Sequence, residues 1–156
     1  MTRFLYGLAC ALFLAAGGPA RAAQPLEVVD AWARATVPGQ SVGGVYMELR
    51  AHEDMRLTGV RTAAAESAQI HRMSMENGMM RMRPVPFLVL PAGKSVKLAP
   101  GGYHIMLFDL KNSLVEGQKL RLELIVEDAA KARQTIPVEA VIRERDAGVP
   151  GAHGTH

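Results

Sequence analysis

Short apolar runs, each closed by a turn signal, follow one another from residue 28 to residue 143, and no long window repeats apolar residues at the 3.6-residue period of a helix. The runs are 28–37, 44–49, 57–61, 68–75, 79–85, 96–98, 103–110, 120–127 and 135–143. Between them stand Pro38-Gly39, Asn77-Gly78, Pro91-Ala92-Gly93, Pro100-Gly101-Gly102 and Glu116-Gly117. Residues 120–126 alternate cleanly: Leu120, Leu122, Leu124 and Val126 share one face, and Arg121 and Glu123 the other, as in a half-buried strand. About nine strands at this spacing predict an all-β chain, a β-sandwich or small Greek-key barrel. The Ala-rich stretch 63–68 is predicted to form one short turn of helix. A length of 156 residues predicts one domain. No internal repeat breaks that reading, and the Gly-rich residues 146–156 read as a flexible tail.

The first 22 residues read as an export signal. Arg3 supplies a positive start, residues 4–16 an apolar run too short for a comfortable membrane span, and Ala20-Arg21-Ala22 a small-residue cleavage site. Cys10 lies inside the apolar run after Gly7-Leu8-Ala9, a poor lipoprotein cleavage box, and reads as a small apolar filler. Cleavage after Ala22 is expected to leave residues 23–145 as the folded domain of an exported protein. It leaves 134 residues without cysteine, and the formal charge falls from +3 to +1 because Arg3 and Arg21 leave and no acid does. A chain of that kind has no disulfide framework. It cannot be a cysteine-nucleophile enzyme, a zinc ribbon or a thiolate-ligated blue-copper carrier. The weak, evenly spread charge and the 5% aromatic content argue against a nucleic-acid partner.

Nine methionines against one cysteine is the unusual ratio, and five of the nine fall within residues 73–82. The segment 71–83 reads His-Arg-Met-Ser-Met-Glu-Asn-Gly-Met-Met-Arg-Met-Arg. Asn-Gly between two strand-like runs predicts a hairpin with a type I′ turn, which needs positive φ at both central residues. A two-residue loop sets Met75 opposite Met80, Met73 opposite Met82 and His71 opposite Pro84. His71, Met73 and Met75 then share a face with Met80 and Met82, while Arg72, Ser74, Arg81 and Arg83 share the other. Diagonal partners lie about 7–8 Å apart, so His71 and Met82 are within reach of one small ion. Methionine also fills core gaps, but strand cores favour Val, Ile and Leu, so five Met in ten residues call for another reason.

A second pair follows the Pro-Gly-Gly turn. His104 and Met106 are two residues apart and project from one face of a strand, with Ile105 and Leu107 on the core side. Two imidazoles and two thioethers make a neutral, soft donor set. Mg²⁺ and Ca²⁺ want oxygen, and thioether with imidazole selects copper, Cu(I) in particular.

These residues resemble the periplasmic copper chaperone family PCu(A)C, whose signature is a His, ten residues, a Met, twenty-one residues, then His-x-Met. His71, Met82, His104 and Met106 match all four positions. The flanks at 31–35, 77–83, 90–93 and 100–104 are similar to the family's as well, and the resemblance covers about residues 28–142. It implies a single cupredoxin-like Greek-key β-sandwich, His71, Met82, His104 and Met106 as ligands of one exposed Cu(I), and a monomer rather than an enzyme. It also implies delivery of copper to the dinuclear centre of cytochrome c oxidase subunit II, alone or with a Sco-type thiol protein. Met73 is the expected neighbour of the site, to shield or hand over the ion, and Met75, Met79 and Met80 a soft rim near the hairpin tip. His153 and His156 offer weak Cu(II) capture, against the plainer reading of a flexible tail. Trp32 reads as a core or rim aromatic. Copper storage, a copper enzyme and a metal-free interaction module stay open as alternatives; an N-terminal histidine brace does not, since no His stands near residue 23.

Overall fold

The computed structural model describes residues 24–144. The predicted signal segment with Cys10, and the tail with His153 and His156, lie outside the described residues. Ten strands follow in chain order: β1 (Leu26–Arg34), β2 (Val42–Ala51), β3 (Met55–Arg61), β4 (Ala65–Glu76), β5 (Met79–Pro84), β6 (Leu88–Leu90), β7 (Ser95–Leu98), β8 (Tyr103–Leu110), β9 (Lys119–Asp128) and β10 (Arg133–Arg143). Among the described residues there is no helix. The all-β class predicted from the turn spacing therefore holds. The strand β6 lacks a sequence signal of its own, being three residues long between Pro86 and Pro91.

The strands join in the order β5-β4-β8-β7-β2-β1-β10-β9-β3-β6. β2 is shared along one edge: Val42–Val45 pair with β8 and Met47–Arg50 pair with β7. β1 runs parallel to β10, closing the path between the two halves. Alternation does the packing. Leu120, Leu122, Leu124 and Val126 of β9 are buried with Ile136, Val138, Ala140 and Ile142 of β10, and the residues between them are exposed, apart from the half-buried Ile125. One buried cluster results, and every strand contributes to it except β5. β5 pairs with β4 alone and all six of its residues are exposed.

The expected helical turn at 63–68 is not formed. Thr62 caps a tight turn instead, its Oγ1 accepting the Ala64 amide at 3.2 Å while donating to the Arg121 carbonyl at 2.8 Å. Ala65 then pairs with Leu110, so β4 begins three residues before the predicted strand. The alanines' helix preference is worth only tenths of a kcal/mol each and yields to sheet pairing.

Candidate metal site

The hairpin forms in the predicted register. Asn77 and Gly78 both take positive φ, 51° and 76°, and set Met75 opposite Met80, Met73 opposite Met82 and His71 opposite Pro84. On the other face, Glu76 binds Arg81 at 3.5 Å and Arg83 at 3.1 Å, and Arg72 lies over the Tyr103 ring at 5.6 Å. Arg81 and Arg83 are thus held within the hairpin, and Arg72 against β8.

The other edge of β4 pairs with β8, and this brings the two sequence motifs together. His71 stands directly opposite His104, and Gln69 opposite Met106. Ile105 and Leu107 are fully buried in the core, which aims His104 and Met106 to the opposite face. The imidazole centroids are 5.9 Å apart.

Both imidazoles are buried, 8% exposed at His71 and 3% at His104, and each has one nitrogen engaged and one without a partner. His104 Nδ1 lies 3.0 Å from the Gly102 carbonyl. A carbonyl only accepts, so Nδ1 carries the proton and Nε2 holds an open lone pair. The same carbonyl accepts the Met73 amide at 3.0 Å, tying β4 to the turn that orients the ring. His71 Nε2 donates to Gln69 Oε1 at 3.0 Å, which leaves Nδ1 as the open atom. Hydrogen bonds of this kind from the far nitrogen are what orient histidines that ligate metals. Burial, first, and the neighbouring His104, second, hold the His71 pKa below the ordinary imidazole value. The neutral, lone-pair form is favoured.

An open cleft of about 520 Å³ lies on this face, lined by Arg34, Tyr46, Met73, Met82, His104 and Met106 among others. Three of the four predicted donors border it, with Met73 beside them. His71 does not line it, and its ring sits beside that of His104. A second cleft on β3, β9 and β10 contains no His or Met. Among the described residues no three His, Cys, Asp or Glu side chains cluster, so no oxygen-rich site competes.

Tyr46 is the wall that sequence reasoning missed. Across four neighbouring strands, His71, His104, Tyr46 and Trp32 form a row of rings with centroids 5.9, 6.4 and 4.4 Å apart. The Tyr46 hydroxyl lies over Gly44, where a Cβ would come within 2.7 Å of it. Arg34 sits 5.7 Å from the Tyr46 ring and Arg143 5.5 Å from that of Trp32. Gln69, also missed, had a signal: two residues before His71 on one strand, it had to share that face.

The profile of the LpqE-like family, provisionally described as a lipoprotein family, matches residues 26–138. The chain belongs to the LpqE-like family. A provisionally named lipoprotein of Leifsonia xyli subsp. xyli is 32% identical to this LpqE-like chain over 133 residues, 83% of this chain and 80% of the relative. Among solved structures, the apo PCuAC domain of PmoF2 is 25% identical with a TM-score of 0.64, covering 80% of this chain and 94% of that domain. The Cu(I) form of DR1885 from Deinococcus radiodurans is 27% identical with a TM-score of 0.57, covering 82% and 83%. The cupredoxin-like fold and the PCuAC relationship implied by the family resemblance are both met.

Proposed function

We propose that this LpqE-like protein is an exported copper chaperone that carries one Cu(I) between His71 Nδ1, Met82 Sδ, His104 Nε2 and Met106 Sδ. The observation that carries the reading is the pair of buried imidazoles, each with its far nitrogen hydrogen-bonded and its near nitrogen without a partner, beside two thioethers at an open cleft. A buried acceptor left without a partner costs about 1–3 kcal/mol, and a site built to be filled explains that cost. The copper-bound state of the DR1885 neighbour supports the same reading.

All four donors are neutral, so the ion keeps its charge and no proton leaves on binding at these atoms. Thiolates bind Cu(I) more strongly than thioethers. Ligand exchange therefore runs toward a thiolate acceptor, and we assign delivery to the dinuclear copper centre of cytochrome c oxidase subunit II, directly or through a Sco-type thiol protein. Export follows from the signal reading. The relatives' lipoprotein naming makes Cys10 the alternative attachment point, and the intact mass of the exported protein separates acylation there from cleavage after Ala22.

Anaerobic titration with Cu(I) against a chromophoric chelator tests the site. One tight equivalent is expected, absent in a Met82→Ala/His104→Ala variant. No competition with the chelator overturns the reading and leaves a metal-free interaction module. Several tight equivalents with no transfer to the oxidase subunit or to a Sco-type protein would favour storage.

A further inference from the structure

The hairpin carries a second thioether pair that the proposed site does not use. Met75 and Met80 are direct cross-strand partners on the face that bears Met73, Met82 and His71. Their side chains are 64% and 54% exposed. The same chain shows what packing methionines look like: Met47 and Met55 are 3% and 4% exposed in the core. Met75 and Met80 therefore bury nothing that explains a thioether at either position. The strand β5 adds no residue to the core, so its side chains are free of packing demands.

Geometry gives the pair a chemistry. Directly opposed strand positions have Cβ atoms about 4.5–5.5 Å apart, which lets two flexible thioethers converge on one ion. The next pair on that face, Met73 with Met82, is about 7 Å further along the strands, and both its members line the cleft with His104 and Met106. Charge on the hairpin is confined to the opposite face, where Glu76 is held by Arg81 and Arg83. The Met75–Met80 face thus offers neutral sulfur without a carboxylate, which suits a soft monovalent ion and discriminates against hard cations.

We infer that Met75 and Met80 form an outer, low-affinity Cu(I) site that captures the ion at the hairpin tip and passes it along the Met73–Met82 pair to the inner site; the inference rests on the inner site being a copper site. Transfer is ligand exchange. The bonds from copper to Met75 and Met80 sulfur break as bonds to Met82 sulfur and then to the His104 nitrogen form. Copper stays Cu(I), and no electron or proton moves. Direction comes from the donors, since the outer pair is two thioethers and the inner set adds two imidazoles.

The test is a titration of the chain from residue 23 onward with Ag(I), a redox-inert soft monovalent probe, read by NMR of ¹³C-labelled methionine methyls. The first equivalent is expected to shift the Met82 and Met106 methyls, and the second those of Met75 and Met80. Met47 and Met55 in the core and Met79 on the opposite face are controls that stay in place. A Met75→Leu/Met80→Leu variant, altered only at exposed positions, is expected to keep the first equivalent and lose the second. Silence of Met75 and Met80 at the second equivalent, or equal movement of Met79, overturns the outer site. Failure of Met82 and Met106 to respond at the first equivalent overturns the inner copper site instead, whatever Met75 and Met80 do.

Discussion

Replacing a proposed copper ligand should leave the empty protein about as stable as before, and His104→Leu tests this. His104 is buried, and its Nε2 has no partner. Removing that orphaned acceptor should restore about 1–3 kcal/mol. Against it stands the lost Nδ1–H bond to the Gly102 carbonyl, about 1 kcal/mol. That carbonyl keeps the Met73 amide as a donor, so no new orphan appears. Leucine is close to histidine in volume, and repacking against the His71 and Tyr46 rings should cost less than about 1.5 kcal/mol. The sum lies near zero, between about −1.5 and +2 kcal/mol of added stability. Urea unfolding of the metal-free proteins measures it. Copper should then reverse the order. A ligand at 100 times its Kd stabilises the wild type by about 2.7 kcal/mol and a chain that cannot bind it by nothing. A loss of more than about 2 kcal/mol in the metal-free variant would refute the reasoning, because it would mean that His104 serves the fold rather than the cargo.

Gln69→Leu removes the acceptor that sets the His71 tautomer; Cu(I) affinity should fall about 10–100-fold, with Gln69→Glu restoring it, as read by chelator competition. Because the folded pKa of His71 lies below 6.5, the unfolded chain takes up that proton first as pH falls. Metal-free stability should therefore drop as pH passes down through 6.5 and level off below the lowered folded value. Denaturant unfolding across that range measures the slope, and His71→Leu should remove it. Gly44→Ala would bring a Cβ within 2.7 Å of the Tyr46 hydroxyl and push the ring off its stack on Trp32. Trp32 is the chain's single tryptophan, so its emission should shift, with a stability loss of about 1–3 kcal/mol; unchanged emission would show that the ring accommodates the methyl in place.

The hairpin was legible because everything that shapes it is local. Asn77-Gly78 selects the turn, the turn sets the register, and the two-residue period assigns each methionine a face. The same logic exposed Ile105 and Leu107 as core and His104 and Met106 as a pair on the other side. It failed at residues 63–68, where pairing of Ala65 with Leu110 outweighs a weak helix preference. It also missed β6, which three residues between prolines cannot announce.

What the sequence by itself determined is the donor inventory and its soft chemistry, since residue type, strand period and turn type are short-range properties. Which strands lie side by side was a decision of the tertiary structure. His71 meets His104 because β4 and β8 each bury one face in a common core, and that choice depends on the packing of the whole sheet rather than on either segment. The tautomers, by contrast, are set by partners two residues away along the chain, Gln69 for His71 and Gly102 for His104. Only the Met73 amide's bond to the same Gly102 carbonyl needs the strands paired. Tyr46, brought in from β2, closes the site for the same reason: nothing near it in sequence refers to a histidine on another strand, and only the shared edge of β2 puts them together.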